Sequence, residues 1–437
     1  MDASAHFRNK KVTVMGLGIL GRGVGDARYL AERGATLIVT DLKGREELAS
    51  SVASLESFPH ITFVLGEHRL EDFRNRDFIL KAAGVPLNSP YIAEAKKQGI
   101  PVRMSADLFM EYADIPTIGI TGTRGKSTVT HMVHAILKEA GKPVLLGGNV
   151  RGVSTLALLK EATPAHTAVL ELDSWQCQGL GEANLSPSLA VFTTFYPDHA
   201  NYYKDDPDQY LADKSNIFLY QDPDDVFVAG SQCAPMLIET FGERIVARMT
   251  IADEGTLPAA WTLSVPGAHN RYNAGIAVAV ARAAGIADET IRRALAAFSG
   301  VPGRLELVTE KDGIRYYNDT TSTTPEATLA ALAALDPART VLIMGGADKD
   351  LTMDKLLAAL PRVKKVIALA GTGTDRLKED LPRDTTIYDS IAEAVAAARS
   401  AAAPGDAVLL SPAFASFGMF KNEFDRGDKF TALVKEV

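Results

Sequence analysis

The chain has 437 residues, 46% apolar and 23% charged, and its 54 Asp and Glu against 46 Lys and Arg leave a formal net charge of −8. That length is too great for one ordinary core and predicts two or three domains. The acidic balance, with no long basic run, argues against nucleic acid or an anionic membrane as the main partner. Two cysteines, Cys177 and Cys233, exclude a disulfide scaffold and fit a reducing cytoplasm. The opening MDASAHFRNKKVTVMG lacks the apolar core of a signal peptide, and no apolar run is long enough to insert into a bilayer.

In chain order, short apolar runs alternate with helical patterns, which predicts parallel sheets. KVTVMG, ATLIVTD, ITFVLG and DFILKAAG read as strands, and IPVRMSADLFMEYADIP as a further strand, a helix and a linker carrying Pro116. A second unit opens with the strand TIGITG and the helix STVTHMVHAILKEAG, which Gly141 and Pro143 end. HTAVLEL and SLAVFTTF read as buried strands, NRYNAGIAVAVARAAGI and DETIRRALAAF as helices, and SGVPGRLE as a joint. The pattern then restarts, with GIRYYND, TVLIMGG, VIALAG and AVLLSPAF as strands and TPEATLAALAAL and IAEAVAAARSAA as helices. The predicted fold class is α/β, with three α/β domains in series. These are a Rossmann-like N-terminal domain over 1–106, a central P-loop-type ATPase domain over 107–299 and a Rossmann-like C-terminal domain over 300–437.

Two glycine loops carry candidate chemistry. Gly16-Leu17-Gly18-Ile19-Leu20-Gly21 lies between a strand and a helix, with Asp41 at the end of the next strand. This is the dinucleotide fingerprint in its proper context, so a dehydrogenase using NAD is one reading. The same glycines and helix N-terminus would hold any diphosphate, including that of a UDP-sugar, and a plain tight turn is the bland alternative. The second loop, Gly122-Thr123-Arg124-Gly125-Lys126-Ser127-Thr128, is two residues shorter between its glycines than the common P-loop. Lys126 is expected near the β- and γ-phosphates, and Ser127 or Thr128 on Mg²⁺. Glu171 at a strand end, Asp198 and His199 past another, and Lys214 in a helical pattern are each explicable as ordinary surface or strand-end residues. Together beside a phosphate loop they suggest a Mg²⁺–nucleotide site. Asn270 and Asn273 stand at a helix start, where asparagine is usually a cap; Asn273 is one turn in and fits that role less well.

With TGTRGKST, ELDSWQ, PDH, the lysine fifteen residues after His199, HNRYNA, GRLE, YYNDTTSTTPEAT, GGADKD and LSPAFASFGMFKNEFDRGDKF, the chain resembles the Mur ligases along nearly its whole length. These ATP-dependent enzymes build the peptidoglycan stem peptide, and the last stretch points to their glutamate-adding branch. The resemblance implies a ligase that joins D-glutamate to UDP-N-acetylmuramoyl-L-alanine through an acyl phosphate, using ATP and Mg²⁺, in the cytoplasm and as a monomer. Addition of L-glutamate is the alternative; remoter ones are the dehydrogenase and a nucleotide-binding regulator without chemistry. It implies that Gly18, Ile19, Asp41, Leu42 and Lys43 hold the uridine diphosphate, and that Asn149 and Gln176 meet the sugar-peptide end. It gives Glu171, His199, Ser127 and Lys214 to metal, with Lys214 carbamylated and Lys126, His199 and Lys214 catalytic. Asn273, Arg304 and Asp319 join the loop on ATP, and Thr321, Thr323, Lys349, Ser416, Phe417 and Glu423 line the amino-acid pocket. The sequence departs from the family pattern with Arg124 for Asn, Asp173 for Ser, Gly303 for His and Thr321 for Lys. Glu423 also stands where an aromatic is usual.

Overall fold

The computed structural model describes residues 3–19, 21–196, 198, 200–203 and 206–436. The chain divides into two units, one formed by Met1–Ala259 with Tyr272–Ala294, the other by Ala260–Arg271 with Leu295–Val437. The first unit carries two sheets and the second carries one.

The first sheet comprises β1 (Lys11–Met15), β2 (Thr36–Asp41), β3 (Ile61–Leu65), β4 (Phe78–Lys81) and β5 (Val102–Arg103), in the order β3-β2-β1-β4-β5 and parallel throughout. Val12, Val14, Leu37, Val39 and Leu80 pack there with Ala27 and Leu30 of the helix Arg22–Glu32. The second sheet comprises β6 (Thr117–Thr121), β7 (Val144–Gly148), β8 (Thr167–Glu171), β9 (Leu189–Phe192), β10 (Val226–Gly230) and β11 (Arg248–Ala252). Its order is β11-β10-β9-β6-β8-β7, again all parallel. All five residues of β6 are buried, as expected of a strand covered on both faces. In each sheet the winding reverses beside its first strand, between β1 and β4 and between β6 and β9. Crevices at the carboxyl ends of such strands are where open α/β sheets take ligands.

The second unit holds β12 (Glu306–Lys311), β13 (Ile314–Asn318), β14 (Thr340–Gly345), β15 (Lys365–Leu369), β16 (Thr386–Tyr388) and β17 (Ala407–Leu410), ordered β12-β13-β17-β14-β15-β16. This sheet is mixed, because β12 runs antiparallel to β13 through the turn at Asp312-Gly313, both residues at positive φ. The strands β7, β10, β11, β12 and β16 lie outside the runs marked in the sequence. Four of them are sheet edges, where one side is solvated and the apolar signal is diluted; β12, with Glu306, Glu310 and Lys311, is the clearest case. Among the described residues no helix is long and apolar enough to cross a membrane.

Within the first unit, one buried carboxylate ties three segments. Asp26, on the helix Arg22–Glu32, accepts from Ser105 Oγ at 2.7 Å and Ser154 Oγ at 2.6 Å. Ser105 opens the helix that leads out of the first sheet, and Ser154 follows β7 of the second. Burial pushes the Asp26 carboxyl up to about 6, against the two serine hydrogen bonds. The folded chain therefore holds this proton more tightly than the unfolded chain does. Asp26 contributes its full stabilisation below the unfolded value of 3.8, and loses it as pH rises through about 6. Asp26→Asn keeps an acceptor for the serines but cannot ionise. Urea unfolding at pH 5 and pH 7 should show a loss of stability smaller by about 1 kcal/mol in the variant than in the parent.

Candidate functional site

The phosphate loop follows from local backbone demands. Gly122 has φ 138° and Gly125, which caps the helix Lys126–Glu139, has φ 87°. A β-carbon on Gly122 would overlap the Thr193 hydroxyl, and one on Gly125 would overlap Oδ1 of the buried Asn273. Asn273 is thus packed on the loop itself. Two threonines past the end of β9 pin the loop. Thr193 Oγ1 donates to the Arg124 carbonyl at 2.6 Å, Thr194 Oγ1 accepts from the Arg124 amide at 3.0 Å, and the Thr123 amide donates to the Thr194 carbonyl at 2.7 Å. In the sequence these threonines read only as the end of the strand SLAVFTTF. Arg124 is exposed and Ser127 and Thr128 are half-buried.

Two ammonium groups meet at one carbonyl of this loop. Lys126 Nζ donates to Gly122 O at 2.9 Å and Thr123 O at 3.2 Å. Lys214, on the helix Pro207–Ser215, is 1% exposed and donates to Gly122 O at 2.9 Å, with Thr121 Oγ1 at 3.5 Å. Burial first, and the Lys126 charge second, push Lys214 down to about 7. Burial and the neighbouring ammonium thus both favour the neutral, nucleophilic amine over the charged form. Glu171 is buried at the end of β8, where its Oε1 accepts from Asn149 Nδ2 at 3.4 Å. Asn149 Oδ1 in turn accepts from Arg22 Nη1 at 2.7 Å, so a polar relay runs from Glu171 to the first glycine loop. Gly148 has φ 82°, and a β-carbon there would overlap the Glu171 carbonyl. Asp173 and Gln176 cap each other's backbone at 2.8 and 3.0 Å, so Asp173 keeps the capping role expected of a serine.

His199 lies outside the described residues, and among those described no group of three or more His, Cys, Asp or Glu is assembled for a metal. Glu171 and the Ser127 hydroxyl are nonetheless hard oxygen donors beside a phosphate loop, the chemistry that suits Mg²⁺.

In the first loop, Gly16, Gly18 and Gly21 all have positive φ. Asp41 organises it, with Oδ2 accepting from the Gly18 amide at 2.9 Å and Oδ1 from the Lys43 amide at 2.9 Å. Ile19 and Leu42 are 50% and 67% exposed, an apolar pair able to meet a base. Between the first and second sheets a cavity of about 310 Å³ is lined by Gly18, Ile19, Arg22, Lys43, Lys81 and Gln176, among others.

The second unit assembles its own cluster. Asp319 is buried, accepting from the Leu305 amide at 3.0 Å and Ser411 Oγ at 2.7 Å, and burial pushes it up to about 6. Arg304, next to Leu305 in sequence, is exposed. Thr321 Oγ1 donates to the Gly303 carbonyl at 2.8 Å, whereas Lys349 Nζ lies 3.3 Å from Thr323 Oγ1. Ser416 is buried and Phe417 is 68% exposed. The residue that organises these loops is Arg426, which the sequence offered only inside a longer motif. Wholly buried on the helix Glu423–Glu436, its guanidinium donates to Thr320 Oγ1 at 3.1 Å, Thr320 O at 2.9 Å and Phe414 O at 3.3 Å. Thr320 Oγ1 itself donates to the Glu423 carbonyl at 2.6 Å. A β-carbon on Gly427 would press on the Thr320 side chain, so the Arg-Gly pair sets how closely this helix meets the loop.

Three family profiles match: "Mur ligase MurD-like, N-terminal domain" over residues 10–104, "Mur ligase middle domain" over 120–281 and "Mur ligase, glutamate ligase domain" over 303–414. The chain is 40% identical to the UDP-N-acetylmuramoylalanine–D-glutamate ligase of Roseiflexus sp. (strain RS-1), covering 98% of each. It is 35% identical to that of Streptococcus pneumoniae (strain Taiwan19F-14), covering 100% of each. Among solved structures, MurF of Acinetobacter baumannii matches with a TM-score of 0.62 at 16% identity, over 100% of this chain and 98% of that one. MurC of Thermotoga maritima matches with 0.61 at 17%, over 98% and 99%. At these identities the solved structures speak for the fold.

Removing the Arg426 guanidinium would leave the Thr320 and Phe414 carbonyls unpaired in the interior. Arg426→Met should lower the unfolding free energy by about 2–4 kcal/mol in urea titrations. A loss below about 0.5 kcal/mol would show that these bonds do not hold the loops.

Proposed function

The chain belongs to the Mur ligase family, and from that premise we propose that it joins D-glutamate to UDP-N-acetylmuramoyl-L-alanine in peptidoglycan precursor synthesis. It is an ATP-dependent amide ligase, as members of the family are. The choice of D-glutamate follows the names of its full-length relatives. The dehydrogenase reading fails, because it assigns nothing to the second loop and its two lysines. Nucleotide-linked substrates of this kind would put the reaction in the cytoplasm.

The observation that carries the chemistry is Lys126 curled over the Gly122 and Thr123 carbonyls, with Lys214 buried against the same Gly122 carbonyl. Phosphorylating the alanyl carboxylate brings two anions together, and fixed positive charge where they meet lowers that barrier. Lys126, curled over the loop carbonyls, would follow the transferring phosphoryl group. The amine of glutamate then attacks the acyl phosphate, and the tetrahedral intermediate collapses to the amide and phosphate. When bound, Mg²⁺ neutralises phosphate charge; Glu171 and Ser127 would hold it, with His199 as the family resemblance implies. A neutral Lys214 amine can take up carbon dioxide, and the resulting carbamate would present oxygen where an ammonium would repel the metal. Asn149, through its bonds to Arg22 and Glu171, would orient the sugar-peptide end together with Gln176.

In the second unit, Lys349 beside Thr323 supplies the charge that Thr321 lacks. A glutamate zwitterion brings two carboxylates, each of which needs donors. Lys349, Thr323 and Ser416 would provide them.

Phosphate release, measured with UDP-N-acetylmuramoyl-L-alanine, Mg-ATP and each glutamate enantiomer, tests the function. Release should be at least about tenfold faster with D-glutamate, and Lys126→Ala should lower it by about a hundredfold or more while the chain stays folded. Faster release with L-glutamate would reverse the stereochemical assignment; no release with either would remove the ligase.

Lys214→Ala should also abolish release, and added short carboxylates such as acetate should restore part of it by standing in for the carbamate. Unaltered activity in the folded variant would exclude a role for this side chain.

A further inference from the structure

A buried lysine at the end of β4 has no part in the chemistry above. Lys81 is 3% exposed. Its Nζ donates to the Val85 carbonyl at 3.1 Å, which occupies one of its three donors. Burial pushes it down to about 8, against Asp173, Asp107, Glu182 and Asp213, which act on it through space; among the described residues no carboxylate is paired with it. An ammonium sealed from water without a paired counter-ion is a costly arrangement.

Its position bears on what it serves. Lys81 is in register with Met15, so it stands next to Gly16 where the winding of the first sheet reverses. That is the crevice in which such sheets hold phosphorylated ligands. Lys81 lines the 310 Å³ cavity together with the glycine turn Gly16–Gly18, the helix-opening Arg22, Gly84 and Gln176. Arg22 directs one of its donors to Asn149 at 2.7 Å. The Gly16 and Gly18 amides are already spent on Thr40 O and Asp41, so the helix N-terminus offers the backbone amides at one strand end, and Lys81 offers a full charge from the next.

We propose that Lys81 is the fixed counter-charge for the diphosphate of the nucleotide-sugar substrate. This rests on the cavity being the uridine-diphosphate site. An ammonium is a compact point charge with several donors, suited to phosphate oxygens shared between two groups. The competing role is purely structural, a clasp for the turn from Ala82 to Val85.

Calorimetric binding of UDP and of uridine separates the two. Lys81→Gln keeps an N–H for the Val85 carbonyl and removes the charge. It should weaken UDP by about 10- to 100-fold while uridine stays within about twofold. KM for the nucleotide-sugar should rise in step, with KM for ATP and kcat at saturation unchanged. Equal weakening of UDP and uridine, or unaltered UDP affinity, would overturn the proposal. Lys81→Met serves as a second neutral variant. Independently of either, a crystal structure of the unaltered chain with UDP should place Nζ about 3 Å from a diphosphate oxygen; an Nζ left solely on Val85 would overturn it. Because UDP binding requires no turnover, a chain that binds UDP through Lys81 but releases no phosphate would sink the ligase and leave this assignment standing.

Discussion

The carbonyl of Gly122 accepts from two lysines, and the arrangement of the first unit's chemistry depends on that meeting. Bringing two ammonium groups to one oxygen is unfavourable in itself. The field of Lys126 adds to burial in pushing Lys214 down to about 7. The loop can present that carbonyl only because Gly122 and Gly125 adopt positive φ and leave no β-carbon against Thr193 and Asn273. The threonines after β9 then hold Arg124 and Thr123 by their backbones, leaving the Arg124 side chain exposed. Under the proposed function, the Lys126 charge would stand in place before any ligand arrives, which is what electrostatic preorganisation means in physical terms.

The two sheets of the first unit share this device. Each places a glycine turn at the point where its winding reverses, and each puts lysine there, Lys81 at β4 and Lys126 after β6. The sheets are joined by polar contacts. Asp26 bonds to Ser105 and Ser154, and Arg22 reaches Glu171 through Asn149. A shift of one glycine loop against the other would break these bonds in a largely part-buried setting, where unpaired polar groups still carry a cost. The cavity between the sheets is thereby given definite walls.

The second unit solves a different problem with the same economy of parts. Its loops are short of regular structure, and a wholly buried guanidinium supplies the donors that their carbonyls lack. The Arg-Gly pair at 426–427 lets the last helix approach closely enough for this, since any side chain at 427 would meet Thr320. Lys349 finds Thr323 from a separate loop, and in the proposed function it would supply charge near the position where the family pattern has a lysine and this chain has Thr321.

The sequence by itself determined the α/β class, the series of three sheets, both glycine loops and the family. Those features are local: a buried parallel strand is a continuous apolar run, and a loop that cradles phosphate needs glycines at set spacing. It left edge strands such as β12 and β16 unread, because β12 is half-solvated and carries charge, and β16 is only three residues long with none of them buried. Only the tertiary structure decided that Lys214 shares an acceptor with Lys126, that Asp41 spends its carboxylate on the Gly18 and Lys43 amides, that Lys81 is sealed beside Gly16, and that Arg426 holds Thr320 and Phe414. Each of these joins residues from separate segments of the chain. Burial and the identity of a hydrogen-bond partner are properties of the packed chain, which residue spacing along the sequence does not encode.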